Sequence, residues 1–300
     1  MTRPIAITGA EGLIGRALTT ALVARGRQVA PLDLRATDEA ARGDVRDRAR
    51  VASLTAGCTG IVHLAAVSRV VDGQRDPELC WSTNVGGTRA VLEAAVDAPH
   101  RPWVIFASSR EVYGAVTTFP VDEDVPLRPI NVYGRAKQAG EELTLAARAQ
   151  GLTTAVVRLS NVFGSANDHV DRVVPAFARA AVRGLPLRVE GAGHTFDFTH
   201  TDDVTRGLIA VIERLERSDV LPPLQLVSGV ATTLGELAAL AVELGGAAAP
   251  ITFAPPRDYD VAGFVGSPTR ARELLDWSTT VALRDGLARL MAAIRAQREP

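Results

Sequence analysis

The stretch TGAEGLIGRAL, Thr8–Leu18, decides the fold. It continues the apolar run PIAIT (4–8) and leads into a helical pattern over 13–26. Gly9, Gly12 and Gly15 stand where a strand turns sharply into a helix. Such a turn needs glycines because the backbone must double back, approach a pyrophosphate closely and let the helix pack near the strand. Backbone N–H groups and the positive end of the helix then face the phosphates. Gly9, Gly12, Leu13 and Ile14 are the candidate contacts. Asp33 closes the next strand-like run, near the ~20-residue spacing of a dinucleotide site. An acid there hydrogen-bonds a ribose diol and repels a 2′-phosphate, which favours NAD over NADP; Arg35, two residues on, softens that preference. The alternative, a tight turn that binds nothing, leaves the agreement of glycines, helix and acid unexplained.

Outward from this turn, short apolar runs alternate with longer helical patterns. Strands are expected at 4–8, 28–33, 60–65, 103–108, 154–160 and 224–228, and helices at 13–26, 46–56, 78–97, 132–150, 170–184 and 202–217. Near-continuous apolar strands separated by helices predict an α/β fold whose parallel sheet is covered on both faces. Past residue 225 the order loosens. TTLGELAALAVEL reads as a helix capped by Thr232 or Thr233, and SPTRARELLDW and LRDGLARLMAAIRAQ as two more. The expected division is a dinucleotide-binding domain of 1–164 plus about 196–225, and a smaller, mainly helical substrate domain of about 165–195 plus 226–300.

Composition narrows the function classes. A chain of 300 residues, 47% apolar and 22% charged, is ordinary for a soluble globular protein. Its net charge of −1, with acids and bases interspersed, gives no nucleic-acid or anionic-membrane surface. No run reaches the ~18 apolar residues of a membrane helix, and MTRPIAITG has no secretory pattern, so a cytoplasmic setting is the expectation. Cys58 and Cys80 make neither a disulfide framework nor a metal cluster, and buried thiols are expected. No metal site is expected.

NVYGRAKQAGEE, Asn131–Glu142, holds the only lysine of the chain; every other fixed cation is arginine. Residues four apart on a helix share a face, so Tyr133 and Lys137 project together, with Asn131 as a cap. A phenol titrates near ~10, and a neighbouring ammonium favours the phenolate. A phenolate at neutral pH can take a proton from a sugar hydroxyl while hydride leaves the same carbon. A compact ammonium on a flexible stem suits this position better than a planar guanidinium. The alternative is an exposed helix on which both residues are incidental. Ser108 and Ser109 end the strand run 103–108, where open α/β sheets bind ligands; Ser109 is the expected hydroxyl on the reacting oxygen and Ser108 the second candidate. His63 reads as a packed strand residue, and Asn84 either bonds backbone near the catalytic helix or touches substrate.

These residues, with GDVRD (43–47), VHLAA (62–66), NVGGT (84–88), SSREVYG (108–114), YGRAK (133–137), RLSNVFG (158–164) and DFTHTDDV (197–204), resemble the extended short-chain dehydrogenase/reductase family, in its nucleotide-sugar epimerase/dehydratase branch. The resemblance implies a Rossmann-type doubly wound parallel sheet that carries NAD, with a smaller domain that grips an activated sugar. It places Asp44 and Val45 at the adenine and Leu64, Ala65 and Ala66 along the cofactor. It makes Ser109, Tyr133 and Lys137 the catalytic set, puts Asn161 near the substrate diphosphate, and implies a homodimer joined through 78–97 and 132–150.

The sequence departs from that pattern twice. Family dehydratases carry Thr-Asp-Glu where this chain has Ser109-Arg110-Glu111, so the candidate base Glu111 is kept but the acid is an arginine, a poor proton donor. Arg110 could instead hold a sugar carboxylate bidentately, as suits a uronic acid, or turn outward to Asp122, Glu123 or Asp124. Phe196 stands where the family has an arginine for the diphosphate, and NVFGSAN lacks the usual Pro-Arg. Arg172 or Arg257 would then clamp the phosphates, or the substrate lacks a diphosphate. The expected activity is an NAD-dependent nucleotide-sugar epimerase working at C4 through a 4-keto intermediate, because that chemistry needs only the intact triad. A lyase (dehydratase or decarboxylase) using Glu111 and Arg110, and a net NAD(P)-dependent sugar dehydrogenase or reductase, are the alternatives. A cofactor-binding sensor without chemistry would have no use for the Tyr–Lys pair.

Overall fold

The computed structural model describes residues 3–246, 248–256 and 261–297. In chain order its strands are β1 (Ile5–Thr8), β2 (Val29–Leu32), β3 (Gly60–His63), β4 (Trp103–Ser109), β5 (Thr154–Leu159), β6 (Asn161–Phe163), β7 (Leu187–Glu190), β8 (Thr195–His200), β9 (Leu224–Leu226), β10 (Ala231–Thr233), β11 (Ile251–Ala254) and β12 (Gly263–Phe264). The helices are α1 (Leu13–Ala24), α2 (Arg48–Gly57), α3 (Val70–Arg75), α4 (Pro77–Trp81), α5 (Thr88–Asp97), α6 (Val132–Ala149), α7 (Val173–Arg183), α8 (Thr201–Glu216), α9 (Leu234–Gly245), α10 (Thr269–Leu275) and α11 (Leu283–Ala296).

The chain divides into two compact units. One runs to Gly114 and includes Glu123–Leu159 and Thr205–Gln225; the other holds Ala115–Asp122, Ser160–Val204 and the chain from Leu226 onward. The first unit carries a six-stranded sheet in the order β2-β1-β3-β4-β5-β9, parallel in each pairing from β2 to β5. This is the expected doubly wound parallel sheet. Every residue of β1, β3, β4 and β5 is buried, which is why these runs read as continuous apolar stretches rather than alternating ones. Gly60 opens β3 because the Trp103 indole of β4 crosses it, leaving no room for a side chain.

In the second unit β8 pairs in parallel with β6 and β12 and antiparallel with β10, while β7 and β11 form a separate parallel pair. The carboxylate of Asp197 on β8 accepts from the Ser228 and Gly229 amides and from both the Ser228 and Thr199 hydroxyls. Residues 160–164 and 196–204 fall in this unit because β6 and β8 belong to its sheet. The unit holds more strand than the sequence pattern suggests, since its strands run two to six residues, too short for periodicity to show. Thr233, not Thr232, caps α9, exchanging bonds with Glu236 in a capping box.

The helix expected over 78–97 is interrupted. Between α4 and α5 the chain makes a π-helical turn, Ser82–Gly87. The Asn84 side chain there accepts from the Val67 amide at 2.8 Å and donates to the Val67 carbonyl at 3.0 Å. One side chain thus acts as a strand neighbour to the loop after β3, and the widened turn lets it reach.

Candidate active site

The cofactor turn is built as its glycines require. Gly9 has φ +71°, and a Cβ there would lie 2.7 Å from the Ala65 nitrogen and 2.8 Å from the Leu64 carbonyl carbon. Gly12 caps α1 with no side chain, leaving space before the first-turn residues Leu13 and Ile14. A Cβ on Gly15 would collide with the Gly9 carbonyl, so the helix can rise this close only without one. Asp33 is buried, and its carboxylate accepts from the Glu11 amide at 2.9 Å and the Arg35 amide at 2.8 Å. It ties the end of β2 to the glycine turn. A bare, glycine-lined turn with an acid fixed beside it fits a dinucleotide. Asp44 is held by the Arg46 guanidinium, which keeps its carboxyl below the usual range. Val45 is buried against Gly87, where a Cβ would come within 2.6 Å of its Cγ2.

A directed chain of hydrogen bonds braces this side of the sheet. The Thr88 hydroxyl donates to the Asn84 carbonyl at 2.6 Å and so accepts from His63 Nε2 at 3.0 Å. His63 Nδ1 then accepts from the Thr8 hydroxyl at 2.7 Å, and Thr8 Oγ1 accepts from the Ala65 amide at 3.2 Å. Burial, with Lys137 nearby, pushes His63 down to about 3. It is a neutral brace rather than a proton carrier, as its strand position suggests.

The catalytic candidates of the first unit gather around the start of α6. Asn131 caps the helix, its Oδ1 accepting from the Gly134 amide at 2.8 Å. Its Nδ2 donates to Glu111 Oε2 at 2.7 Å, so the cap also grips the turn after β4. Gly134 allows this approach, since a Cβ there would lie 2.6 Å from the Glu111 carbonyl oxygen. Ser109 caps that turn, accepting from the Glu111 amide at 3.2 Å. Arg110 turns inward, its side chain 14% exposed, and pairs with Glu111 Oε1 at 2.9 Å. Both Glu111 oxygens are therefore engaged.

Tyr133 packs with Cys80, Val85 and Ala136. Lys137 Nζ lies 5.9 Å from the Tyr133 ring centroid and 5.0 Å from that of Phe106, and donates to the Ala107 carbonyl at 2.7 Å. Burial drives this lysine down to about 8. Ser108 faces the other way: its hydroxyl donates at 2.5 Å to Glu141, which Arg158 binds bidentately. That network, unmarked in the sequence reading, takes the Ser108 hydroxyl into the core and leaves Ser109 at the turn. The signal that could have found it is Glu141 itself, one helical repeat beyond Lys137 in AKQAGEE.

The remaining candidates lie in the second unit. Asn161 Nδ2 donates to the Asp197 carbonyl at 3.4 Å. Arg172 precedes α7 and lies 3.7 Å from Asp168. Phe196 is buried on β8 between Thr232 and Phe264, with the His194 ring edge-on at 6.3 Å. Arg257 lies outside the described residues. Among the described residues, no acidic, histidine or cysteine cluster could hold a metal, and no helix is long and apolar enough to cross a membrane.

Residues 5–221 match the model of the NAD dependent epimerase/dehydratase family. A UDP-glucose 4-epimerase of Streptomyces lividans is 30% identical over 92% of this chain and 91% of its own. A dTDP-glucose 4,6-dehydratase of Streptomyces griseus is 30% identical over 97% of this chain and 94% of its own. The solved structure of MoeE5 in complex with UDP-glucose and NAD superposes with a TM-score of 0.91 at 29% identity, covering 99% of this chain and 100% of that one. The same protein in complex with UDP-glucuronic acid and NAD gives 0.89 at 28%, over 98% and 99%.

Proposed function

This chain belongs to the NAD dependent epimerase/dehydratase family, and we propose that it is a nucleotide-sugar epimerase that inverts a sugar carbon, C4, through a 4-keto intermediate. The observation that carries this reading is the state of Glu111. A dehydratase needs that carboxylate as a base at C5, yet Asn131 and Arg110 hold both its oxygens. An epimerase needs only Ser109, Tyr133 and Lys137.

Gly9, Gly12, Leu13, Ile14 and Asp33 would hold NAD, which would supply a reversible two-electron oxidant for the sugar carbon. Tyr133, as phenolate, accepts the hydroxyl proton and later returns it to the keto oxygen. Lys137 favours that phenolate by its charge, and from the same helix face it would hold the nicotinamide ribose of a bound NAD. Ser109 accepts from the Glu111 amide, which leaves its own proton to donate to the reacting oxygen. Asn161 and Arg172 are the candidates for the diphosphate, in place of the arginine that Phe196 replaces.

One observation favours a second reading. Arg110 is turned inward beside Glu111, where a guanidinium could bind a sugar carboxylate, and a uronic-acid decarboxylase would use that contact. Incubation with a panel of nucleotide sugars and no added cofactor separates the two. An isomer of unchanged mass supports the epimerase; loss of water or carbon dioxide from the sugar replaces it with the lyase. Tyr133→Phe is expected to lower turnover by about 10²–10⁴-fold, and full activity in that variant removes Tyr133 as the base. A homodimer through α4, α5 and α6 is part of the proposal, because Trp81 and Leu145 leave apolar surface exposed there. Light scattering of wild type and Trp81→Glu tests it: a monomeric wild type ends the idea.

A further inference from the structure

Tyr133, Lys137 and Glu141 recur at four-residue spacing and so stack on one face of α6. Lys137 is 4% exposed, and a buried ammonium needs a countercharge or gives up its proton. The Ala107 carbonyl it binds is a dipole, not a charge. Other charged and titratable groups lie on the neighbouring elements. His63 on β3 is neutral. The Cys80 thiol on α4 is pushed up by burial and stays protonated at neutral pH. On α3 Asp72 pairs with Arg69, in the turn after β4 Glu111 pairs with Arg110, and on α5 Glu93 pairs with Arg48 at the surface. Among the described residues, the carboxylate whose charge acts on Lys137 is Glu141; it is itself paired with Arg158 of β5, but it shares the lysine's helix face.

Glu141 is 2% exposed and held from two directions. Arg158 Nε donates to Oε1 at 2.9 Å and Nη2 to Oε2 at 2.7 Å, while the Ser108 hydroxyl donates to Oε1 at 2.5 Å. Ser108 adjoins Ser109 on β4, so the strand end that presents the reactive serine also orients the carboxylate. We propose that Glu141 is a positioning residue of the Tyr133–Lys137 pair: anchored by Ser108 and Arg158, its carboxylate holds the Lys137 ammonium charged and aligned beside the phenol. The inference rests on the catalytic reading of that pair, and Glu141 itself touches no reacting atom. Burial lowers Lys137, and Cys80 and then Glu141 oppose that fall; because burial keeps the Cys80 thiol protonated at neutral pH, Glu141 is the charge that acts there.

The single lysine makes a direct test possible. Protein labelled with ¹³C at the lysine ε-carbon gives one lysine signal, whose shift against pH titrates Lys137 with neither substrate nor added cofactor. Glu141→Gln keeps the side chain's shape and removes its charge, and the midpoint is expected to fall by about one pH unit. Arg158→Met removes the opposing cation, and the midpoint is expected to rise. Should a single variant not fold, Glu141→Gln/Arg158→Met deletes both buried charges, and the midpoint still falls, by about half a pH unit, because Glu141 shares the lysine's helix face. A midpoint within about 0.2 pH unit of wild type in Glu141→Gln or in the double variant overturns the proposal and leaves the pair as a clamp between α6 and β5. In turnover, Glu141→Gln should move the alkaline limb of kcat to lower pH with KM unchanged within about twofold. If the lysine midpoint moves but no nucleotide sugar reacts, the epimerase reading fails while the action of Glu141 on Lys137 stands.

Discussion

Two glutamate–arginine pairs flank α6, and they are built for different ends. The side chains of Glu141 and Arg158 are 3% and 5% exposed, meet in two parallel hydrogen bonds, and join β5 to α6. Their other capacity is filled by Ser108, by the Tyr113 hydroxyl at 2.9 Å and by the Glu123 carbonyl at 2.9 Å. Glu111 and Arg110 are sequence neighbours in one turn, meeting through one contact, with Asn131 completing the carboxylate. The first pair is a fully satisfied buried network, able to fix a helix against a sheet. The second sits at the helix entrance beside Ser109, its carboxylate held by Arg110 and Asn131. The same two residue types thus give a clamp between helix and sheet in one place and a strut within a turn in the other.

The sharpest way to break this contrast is to cut the clamp. Arg158→Met alone should cost about 3–5 kcal/mol in urea unfolding, because it strands a buried carboxylate, whereas replacing Glu141 and Arg158 together by methionine should recover most of that loss. Equal losses in the single and double variants would mean that the pair is not a closed unit.

Lys137 lies between the pairs and carries a stability cost of its own. Burial holds it at about 8, against ~10.4 for a free lysine. Its folded value is depressed, so the cost is fully present below about pH 8 and is relieved as pH rises toward ~10.4. Lys137→Met should therefore stabilise the fold at pH 7, by up to about 3 kcal/mol, while removing activity, and the gain should shrink by pH 10. A destabilised variant at pH 7 would show that the ammonium is fully compensated.

The smallest expected effect concerns the second pair. Glu111→Gln should leave epimerase turnover within about tenfold of wild type, since it removes a strut and not a base. A loss beyond about 10²-fold would make Glu111 a proton carrier and turn the two pairs' roles toward a lyase.

Local sequence was enough for much of this. Gly9, Gly12, Gly15 and Asp33 announced the tight turn from β1 into α1 and the acid beside it, because such a strand-to-helix crossing admits only glycine and the spacing to the acid is set by one βα unit. Tyr133 and Lys137 could be paired from helical periodicity alone. Asn131 was legible as a cap, though not its second grip on Glu111.

Tertiary structure decided the rest. Adjacent serines on β4 point to opposite faces, and only the pairing of Ser108 with Arg158 across β4 and β5 shows which hydroxyl goes to the core. Glu141 and Arg158 are joined by sheet and helix packing across 17 residues of sequence, a separation over which no periodicity carries information. The π-helical turn around Asn84 was hidden because a single helical pattern covers 78–97 with or without it. The sequence by itself determined which fold this protein has and that Tyr133 and Lys137 share one helix face, since both follow from spacing within one element. What surrounds that pair follows from contacts between elements that only the folded chain brings together.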